Sequence, residues 1–141
     1  MSRLREYVAR LKSINQKTID DGVLKIVQDT KNQAIDLNTK QLFAGRNAKG
    51  ESTGTYRNEE YARFKRSLNP AGVKDYKLTG DLYSGWFAKT DSFPITFGST
   101  DEKYRLFIDA ELDGLDQTSL EEYRQEIKPE VQAYFSKLLS P

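Results

Sequence analysis

Carboxylates are the commonest side chains in this sequence whose type and spacing could support chemistry. One pair is Asp20 and Asp21, and a second group consists of Asp109, Glu111, Asp113 and Asp116. Carboxylate oxygens are the ligands that Mg²⁺ and Ca²⁺ prefer. The second group lacks the glycine and the terminal bidentate Glu of an EF-hand loop at the required spacing. We therefore interpret it as a solvated acidic loop and predict no metal and no other cofactor.

Other arrangements that could support catalysis are also explained more simply. Gly45, Gly50 and Gly54 are not followed by the Gly-Lys-Ser/Thr ending of a phosphate-binding loop. Asp81 beside Tyr83 could form an acid/base pair, but a carboxylate at a helix start is typical of capping. The chain has no His and no Cys, which excludes Cys-ligated zinc and Ser-His-Asp catalysis within one chain. We predict that the protein is not an enzyme, with a His-free metal-dependent enzyme as the remaining alternative of that class.

Basic and aromatic residues alternate in one short segment. The basic members are Arg57, Arg63, Lys65 and Arg66, and Tyr56 and Tyr61 lie among them. Such a cluster could contact the backbone of a nucleic acid. The solvated side of an amphipathic helix has the same pattern and is the commoner explanation.

Charge is divided unevenly along the chain. The 141 residues have a formal net charge of only +1. Residues 1–90 carry 17 Lys/Arg against 10 Asp/Glu, a balance of +7, and residues 91–141 carry 5 against 11, a balance of −6. Opposite charges suit head-to-tail contact between copies, whereas two independent solvated faces would give the same balance. The length fits a single domain over residues 1–141.

The first third of the chain has the periodicity of helices, which we place over about residues 3–43. Apolar residues recur at three- and four-residue spacing, first at Leu4, Tyr7, Val8, Leu11 and Ile14. A second stripe predicts one long helix that begins near Asp20 and ends near Phe43. Residues 44–55 follow with three glycines, and we predict a mobile loop there.

The middle of the chain is predicted to form a short helix and a hairpin. Asn58 can cap a helix over about residues 58–68, which ends before Pro70. Residues 76–98 are predicted to form a turn capped by Thr79, with Trp86 packed inward, and a β-hairpin whose strands are Trp86–Lys89 and Phe93–Phe97. Pro94 favours an edge position for the second strand. We therefore expect Phe93, Ile95 and Phe97 to contact another subunit.

Residues 100–139 are predicted to be helical. Thr118 to Glu121 has the spacing of a capping box, and Pro129 is expected to break the helix that follows. The predicted fold class is α+β, with long N-terminal helices on a small antiparallel sheet and helices at the C-terminal end. No apolar run approaches the roughly 20 residues that span a bilayer, and the first residues are amphipathic. We expect that the protein does not associate with a membrane and that it is made in the cytoplasm.

Several short motifs, taken in order, resemble a known group of proteins. They are Ile35 to Gly45, Tyr56 with Tyr61 to Lys65, Leu78 to Tyr83, and Gly114 to Thr118. This arrangement is similar to the virion-morphogenesis proteins of tailed bacteriophages, the head-tail joining and tail-completion (neck) group, and most resembles the versions in phages of Bacteroidetes. The similarity extends over most of residues 20–139.

The resemblance implies a structural function without catalytic residues. It implies a virion protein of the neck or tail, made in the host cytoplasm, that forms a homo-oligomeric ring as a head-tail connector or tail terminator. Its partners would be portal or adaptor proteins and tail-tube proteins, with genomic DNA passing through the lumen. The alternative is a nucleic-acid-binding accessory protein that uses the segment from Arg57 to Arg66.

Overall fold

The computed structural model describes residues 2–76, 81–92 and 94–140. The helices of these residues are α1 (Arg3–Ser13), α2 (Gln16–Asp29), α3 (Lys31–Phe43), α4 (Glu59–Leu68), α5 (Asp81–Ser84) and α6 (Gln117–Leu139). The strands are β1 (Trp86–Lys89) and β2 (Thr96–Ser99), and a 3-10 helix covers Glu102–Ala110. The predicted α+β class is confirmed, because helices at both ends accompany a small two-stranded antiparallel sheet.

The long helix predicted from Asp20 to Phe43 is instead two helices. α2 begins at Gln16, where the Asn15 side chain accepts from the backbone N–H of Thr18, so Asp20 lies within the helix. Thr30 separates α2 from α3 with φ −110° and ψ 13°. The Thr30 hydroxyl bonds to the Ile26 carbonyl and, at 2.7 Å, to the Tyr123 hydroxyl of α6. The Thr30 side chain therefore connects the junction between α2 and α3 to α6.

α2 and α3 lie against α6 over the first of two core clusters. Its buried members are Ala34, Leu37, Tyr123 and Ile127. α2 and α6 approach closely at Gly22, where a Cβ atom would meet the ring of Tyr134 at 1.9 Å. The Tyr134 hydroxyl donates to the Thr18 carbonyl beside this contact. Glycine is thus required where the two helices meet.

The second core cluster joins α3 to the hairpin. Leu42, Leu82, Trp86 and Leu112 are its buried members, so the predicted inward packing of Trp86 is confirmed. The indole N–H donates to Asn38 Oδ1 at 3.0 Å, and Asn38 Nδ2 donates to the carbonyls of Leu112 and Gly114. Asn38 therefore connects α3, the hairpin and the loop that precedes α6.

The hairpin has a different register from the predicted one. β1 lies where it was predicted, but β2 is Thr96–Ser99 instead of Phe93–Phe97, and Trp86 pairs with Ser99. This register places Gly98 beneath the ring of Phe87, where a Cβ atom would lie 3.0 Å from the ring. The predicted Thr79 cap lies outside the described residues, as does Phe93.

Residues 44–55, predicted to be a mobile loop, are held by hydrogen bonds. The Asn47 side chain accepts from the backbone N–H groups of Lys49 and Glu51, and Ala48 N–H donates to the Glu111 carbonyl. Arg46 Nε bonds to Asp116 Oδ2 at 2.6 Å. The glycines allow the chain to turn, while Asn47 and Arg46 fix the turn against the acidic loop.

α6 differs from prediction at its start and at its proline. Asp116, and not Thr118, is the N-cap, because its carboxylate accepts from the backbone N–H of Ser119 at 2.8 Å. Pro129 lies on the exposed side, and the helix continues through it to Leu139. Ile127 and Val131 pack into the core on either side of Pro129, which supports the helix where the proline removes a backbone donor.

Candidate functional site

α4 turns its apolar residues to solvent. Tyr61, Phe64 and Leu68, which we call the α4 apolar face, repeat at helical spacing, and the side chains of Phe64 and Leu68 are 51% and 54% exposed. The buried residue of the helix is Lys65, which is 2% exposed. The usual orientation of an amphipathic helix, with the apolar stripe inward, is therefore reversed.

A buried ion pair holds α4 in this orientation. Lys65 Nζ lies 2.9 Å from Asp75 Oδ1, and Asn69 Nδ2 donates to Asp75 Oδ2 at 3.0 Å. Asn69 also donates to the Phe43 carbonyl at the end of α3. The Tyr83 hydroxyl donates to the Asp75 carbonyl. We call Lys65, Asn69 and Asp75 the α4 anchor, since together they connect α4 to α3 and to the hairpin.

The electrostatics of the anchor favour the charged pair. Burial alone disfavours the ammonium form of Lys65, but the hydrogen bond and the charge of Asp75 outweigh burial and raise the Lys65 pKa above its usual value. Burial is the main cause that raises the pKa of Tyr83, and the negative charge of Asp75 adds to it. Tyr83 therefore stays protonated and able to donate. Removing one member of such a pair would leave a buried, uncompensated charge.

The predicted nucleic-acid contacts divide into exposed arginines and a buried lysine. Arg57, Arg63 and Arg66 are exposed. Lys65 is not available to a phosphate group, because Asp75 binds its ammonium in the interior. The inclusion of Lys65 in this set is therefore wrong. Its place between Arg63 and Arg66 gave no indication of burial, and its partner lies ten residues further along the chain.

Three aromatic rings cluster at α4, the helix that carries Arg63 and Arg66. The Tyr56 and Tyr61 rings meet edge to face with centroids 4.9 Å apart, and Phe64 lies 6.2 Å from Tyr61. The Tyr56 ring also lies 5.9 Å from Lys65 Nζ. The outer side of α4 therefore combines exposed aromatic surface with guanidinium groups, a composition enriched in interfaces.

α1 presents a second exposed apolar stripe. The spacing of Leu4, Tyr7, Val8 and Leu11 correctly predicted a helix, but the helix has no buried residue. Leu4 is 72% exposed and Leu11 is 55% exposed. Arg10 Nε donates to the Leu138 carbonyl at 2.6 Å and connects α1 to the end of α6.

Two of the residues predicted for subunit contact, Ile95 and Phe97, lie in an apolar cleft of the molecule. Ile95 and Phe97 are half-buried and line a cleft of about 230 Å³ together with Val27, Leu115, Leu120 and Tyr123. Ile95 precedes β2, and Phe97 also packs against both core clusters. These side chains therefore form part of a concave surface between α2, α6 and the hairpin and do not project as a flat row along a strand edge.

Two of the acidic residues considered as metal ligands, Asp116 and Glu111, are engaged with other groups. Asp116 is buried, caps α6 and pairs with Arg46, and Glu111 lies 3.1 Å from Lys49. Burial alone would raise the pKa of Asp116, but hydrogen bonds from Ser119 and Arg46 outweigh it and hold the pKa below its usual value. Within the described ranges, no group of three or more acidic residues could hold a metal ion.

Two of the functional groups in the structure were not found by sequence reasoning. The α4 anchor has no local signature, because Lys65 and Asn69 share a helix face with Ala62 while Asp75 follows a turn. The pairing of Arg46 with Asp116 joins residues 70 positions apart. Only three-dimensional contact reveals either group.

Comparisons with protein-family models, with curated proteins and with solved structures found no match to this chain. Among the described residues, the helices are all too short or too polar to cross a lipid bilayer.

Proposed function

We propose that this protein is a structural virion protein of the tailed-phage neck or tail, a head-tail connector or tail-completion subunit that assembles into a homo-oligomeric ring. It would link a portal or adaptor to the tail tube and act by binding, without catalysis. The sequence resemblance to the neck group motivates this assignment.

The observation that carries the proposal is the reversed orientation of α4. The ion pair of Lys65 and Asp75 is buried while Phe64 and Leu68 are half-exposed. Burying a Phe or Leu side chain completely is worth about 1.5–3 kcal/mol. A subunit that covered the α4 apolar face would gain part of this free energy, and the anchor keeps the face in place before assembly.

Two further features support self-assembly over binding by a single surface. α1 offers a second exposed stripe on a different element. The charge balance is +7 in residues 1–90 and −6 in residues 91–141, and opposite charges favour contact between unlike regions of two copies. A heterologous, head-to-tail contact of this kind generates a ring when the rotation closes.

The proposal is tested by the size and shape of the purified full chain. Native mass spectrometry and negative-stain imaging over a range of concentrations should show closed rings. Phe64→Gln should reduce ring formation and leave thermal unfolding of the subunit unchanged, since Phe64 is on the surface. Glu59→Gln, an exposed change on the side of the same helix opposite the apolar face, is the matched control and should assemble as the unmodified chain does.

A chain that remains monomeric alone, and also when it is mixed with purified portal and tail-tube rings, overturns the proposal. Assembly of Phe64→Gln at the level of the control would remove α4 as the supporting observation.

The second candidate function is binding of nucleic acid, which the three exposed arginines beside Tyr61 and Phe64 favour. Arginine would contact phosphates, and the aromatic side chains could stack on unpaired bases. With Lys65 buried, at most three of the predicted contacts remain. The logarithm of the binding constant for single strands would then fall with the logarithm of the salt concentration, with a slope of roughly −2.

Fluorescence anisotropy with single-stranded and duplex DNA at low salt distinguishes this candidate. The combined variant Arg57→Gln, Arg63→Gln and Arg66→Gln should flatten the salt dependence. No binding at low salt by the unmodified chain eliminates the candidate.

A further inference from the structure

α1 combines an apolar stripe with a strong positive charge. Its four cationic residues, Arg3, Arg5, Arg10 and Lys12, are opposed by one acid, Glu6. All of its residues are exposed. The two residues Ile14 and Asn15 join it to α2. It is thus a short arm whose apolar side is not covered by its own chain.

The cleft beside Ile95 and Phe97 is a concave apolar surface with acidic surroundings. Half-exposed Leu115 and Leu120 are among its lining residues, so its floor is available to an apolar side chain. Four exposed carboxylates lie beside the cleft. Asp91 and Asp113 are sequence neighbours of lining residues, and the charges of Glu126 and Glu130 act on the lining residue Tyr123. Two exposed cations are sequence neighbours of lining residues, Lys89 beside Thr90 and Arg124 beside Tyr123, and they are fewer than the carboxylates. The rim is therefore net acidic.

In the structure, α1 does not lie in the cleft of its own chain. α1 contacts α6 at Leu138, and the cleft lies at Tyr123, which is 15 residues earlier in the same helix. At a rise of 1.5 Å per residue, this separation is about 22 Å along the α6 axis. α1 itself has 11 residues, a length of about 16 Å, which is shorter than this separation.

Charge also decides between two possible partners of the arm. Contact between two α1 helices would bring two surfaces of net charge +3 together, which costs free energy. Contact with the acidic rim joins opposite charges. The apolar side chains of the arm and the apolar floor of the cleft are then buried in the same contact.

We propose that α1 of one copy lies in the cleft of a second copy, with Leu4, Val8 and Leu11 against Ile95, Leu115 and Leu120. The inference rests on the proposed self-assembly and specifies its contact. Arm exchange of this kind links each copy to the next with one fixed polarity. The occupant is a second copy of this chain, and no other macromolecule is required.

Cross-linking tests the contact directly, because the chain contains no cysteine. Leu11→Cys places a thiol on the stripe, and Ile95→Cys or Leu120→Cys places one in the cleft. The single variants, with different mass tags, are mixed as full chains and treated with a short bismaleimide. Ala9→Cys, on the opposite side of α1, is the matched control. Two cleft positions are used so that one poorly folded variant does not decide the result.

We expect the mixed Leu11–cleft product to exceed the Ala9–cleft product about a hundredfold, because docking gives an effective concentration of about mM against micromolar chance encounter. Cross-linking between two Leu11→Cys chains, or within a single chain that carries both substitutions, overturns the inference. Absence of any cross-link also overturns it.

Sizing of the unmodified chain separates failure of this inference from failure of the proposed function. Closed rings without the mixed product reject the arm contact and leave the ring. A mixed product without closed rings supports the arm contact and rejects the ring. Absence of both rejects both proposals.

Discussion

α3 and α4 both have buried polar side chains, but they present their apolar residues in opposite directions. α3 buries Ala34, Leu37 and Leu42 together with Asn38 and Gln41. α4 buries Lys65 and leaves Phe64 and Leu68 exposed. Helical periodicity predicted helix in both segments, although it did not separate α3 from α2. The pattern alone did not distinguish an inward stripe from an outward one.

The difference between the two helices follows from what surrounds them. α3 lies between α6, β1 and the loop before α6, so its apolar and polar side chains all find partners. Gln41, for example, donates to the carbonyls of Asn47 and Gly114 and accepts from the Asp116 N–H. α4 packs through one narrow side, and a single ion pair there determines its rotation. A helix with few neighbours can be oriented by one buried charge.

The largest expected effect comes from the α4 anchor. Lys65→Met leaves Asp75 charged and buried, and we expect a loss of about 3–5 kcal/mol in the free energy of unfolding. The double variant Lys65→Met, Asp75→Asn should recover much of that loss, because no uncompensated charge remains. Chemical denaturation measures both. If Lys65→Met unfolds at the same denaturant concentration as the unmodified chain, the pair does not orient α4.

The same substitution in the two helices gives the most direct comparison. Leu42→Ala in α3 should cost about 2–5 kcal/mol, because it leaves a cavity in a fully buried site. Leu68→Ala in α4 should change the free energy of unfolding by less than about 0.5 kcal/mol in the unassembled chain, as is usual for surface sites. Equal losses in urea titrations of the two variants would contradict the assignment of opposite faces.

A polar position in α3 should be nearly as sensitive. Asn38→Ala removes the acceptor of the Trp86 indole N–H and the donor to two carbonyls. Unsatisfied buried groups of this kind cost about 1–3 kcal/mol. Thermal unfolding and the Trp86 emission spectrum would measure the loss and the changed environment. An unshifted unfolding temperature would show that Asn38 is replaceable.

The smallest effect is expected at low pH. Because the folded-state pKa of Asp116 is lowered from 3.8, its stabilising contribution is present above that value and is lost as the pH falls through the lower, folded-state pKa. Asp116→Asn keeps a capping oxygen but loses the negative charge at the start of α6 and opposite Arg46. It should therefore be less stable at pH 7, by about 0.3–1 kcal/mol, and its stability should fall less on acidification. Denaturation curves from pH 7 to pH 2 test this, and parallel declines would contradict it.

Local sequence predicted the helices and strands better than it predicted the tertiary contacts that surround them. The spacing around Leu4 and Leu11, the Asn58 cap of α4 and the position of β1 were all correct, because each depends on residues within a few positions of one another. The break at Thr30 was not predicted. Its hydroxyl contacts Tyr123, which is 93 residues away in the chain.

The candidate site was predicted in part. Arg57, Arg63 and Arg66 are exposed, as a contact surface requires, but Lys65 is not. For Ile95 and Phe97, Pro94 indicated an edge strand and contact with another subunit, whereas in the structure both side chains line a cleft and only Phe97 belongs to β2. Register depends on which residues of two strands meet, and no short stretch of either strand determines it.

The sequence by itself determined that the chain is mainly helical and that chemistry by His or Cys side chains is excluded. It also determined that net charge is positive in residues 1–90 and negative in residues 91–141. These properties depend on composition and on periodicity within a few turns. Only the tertiary structure decided that α4 faces outward, that residues 44–55 form hydrogen bonds with the loop before α6, and that an apolar cleft lies apart from the exposed arm. The physical reason is that burial depends on distant partners, Asp75 for Lys65 and Asp116 for Arg46, and these contacts exist only after the chain has folded.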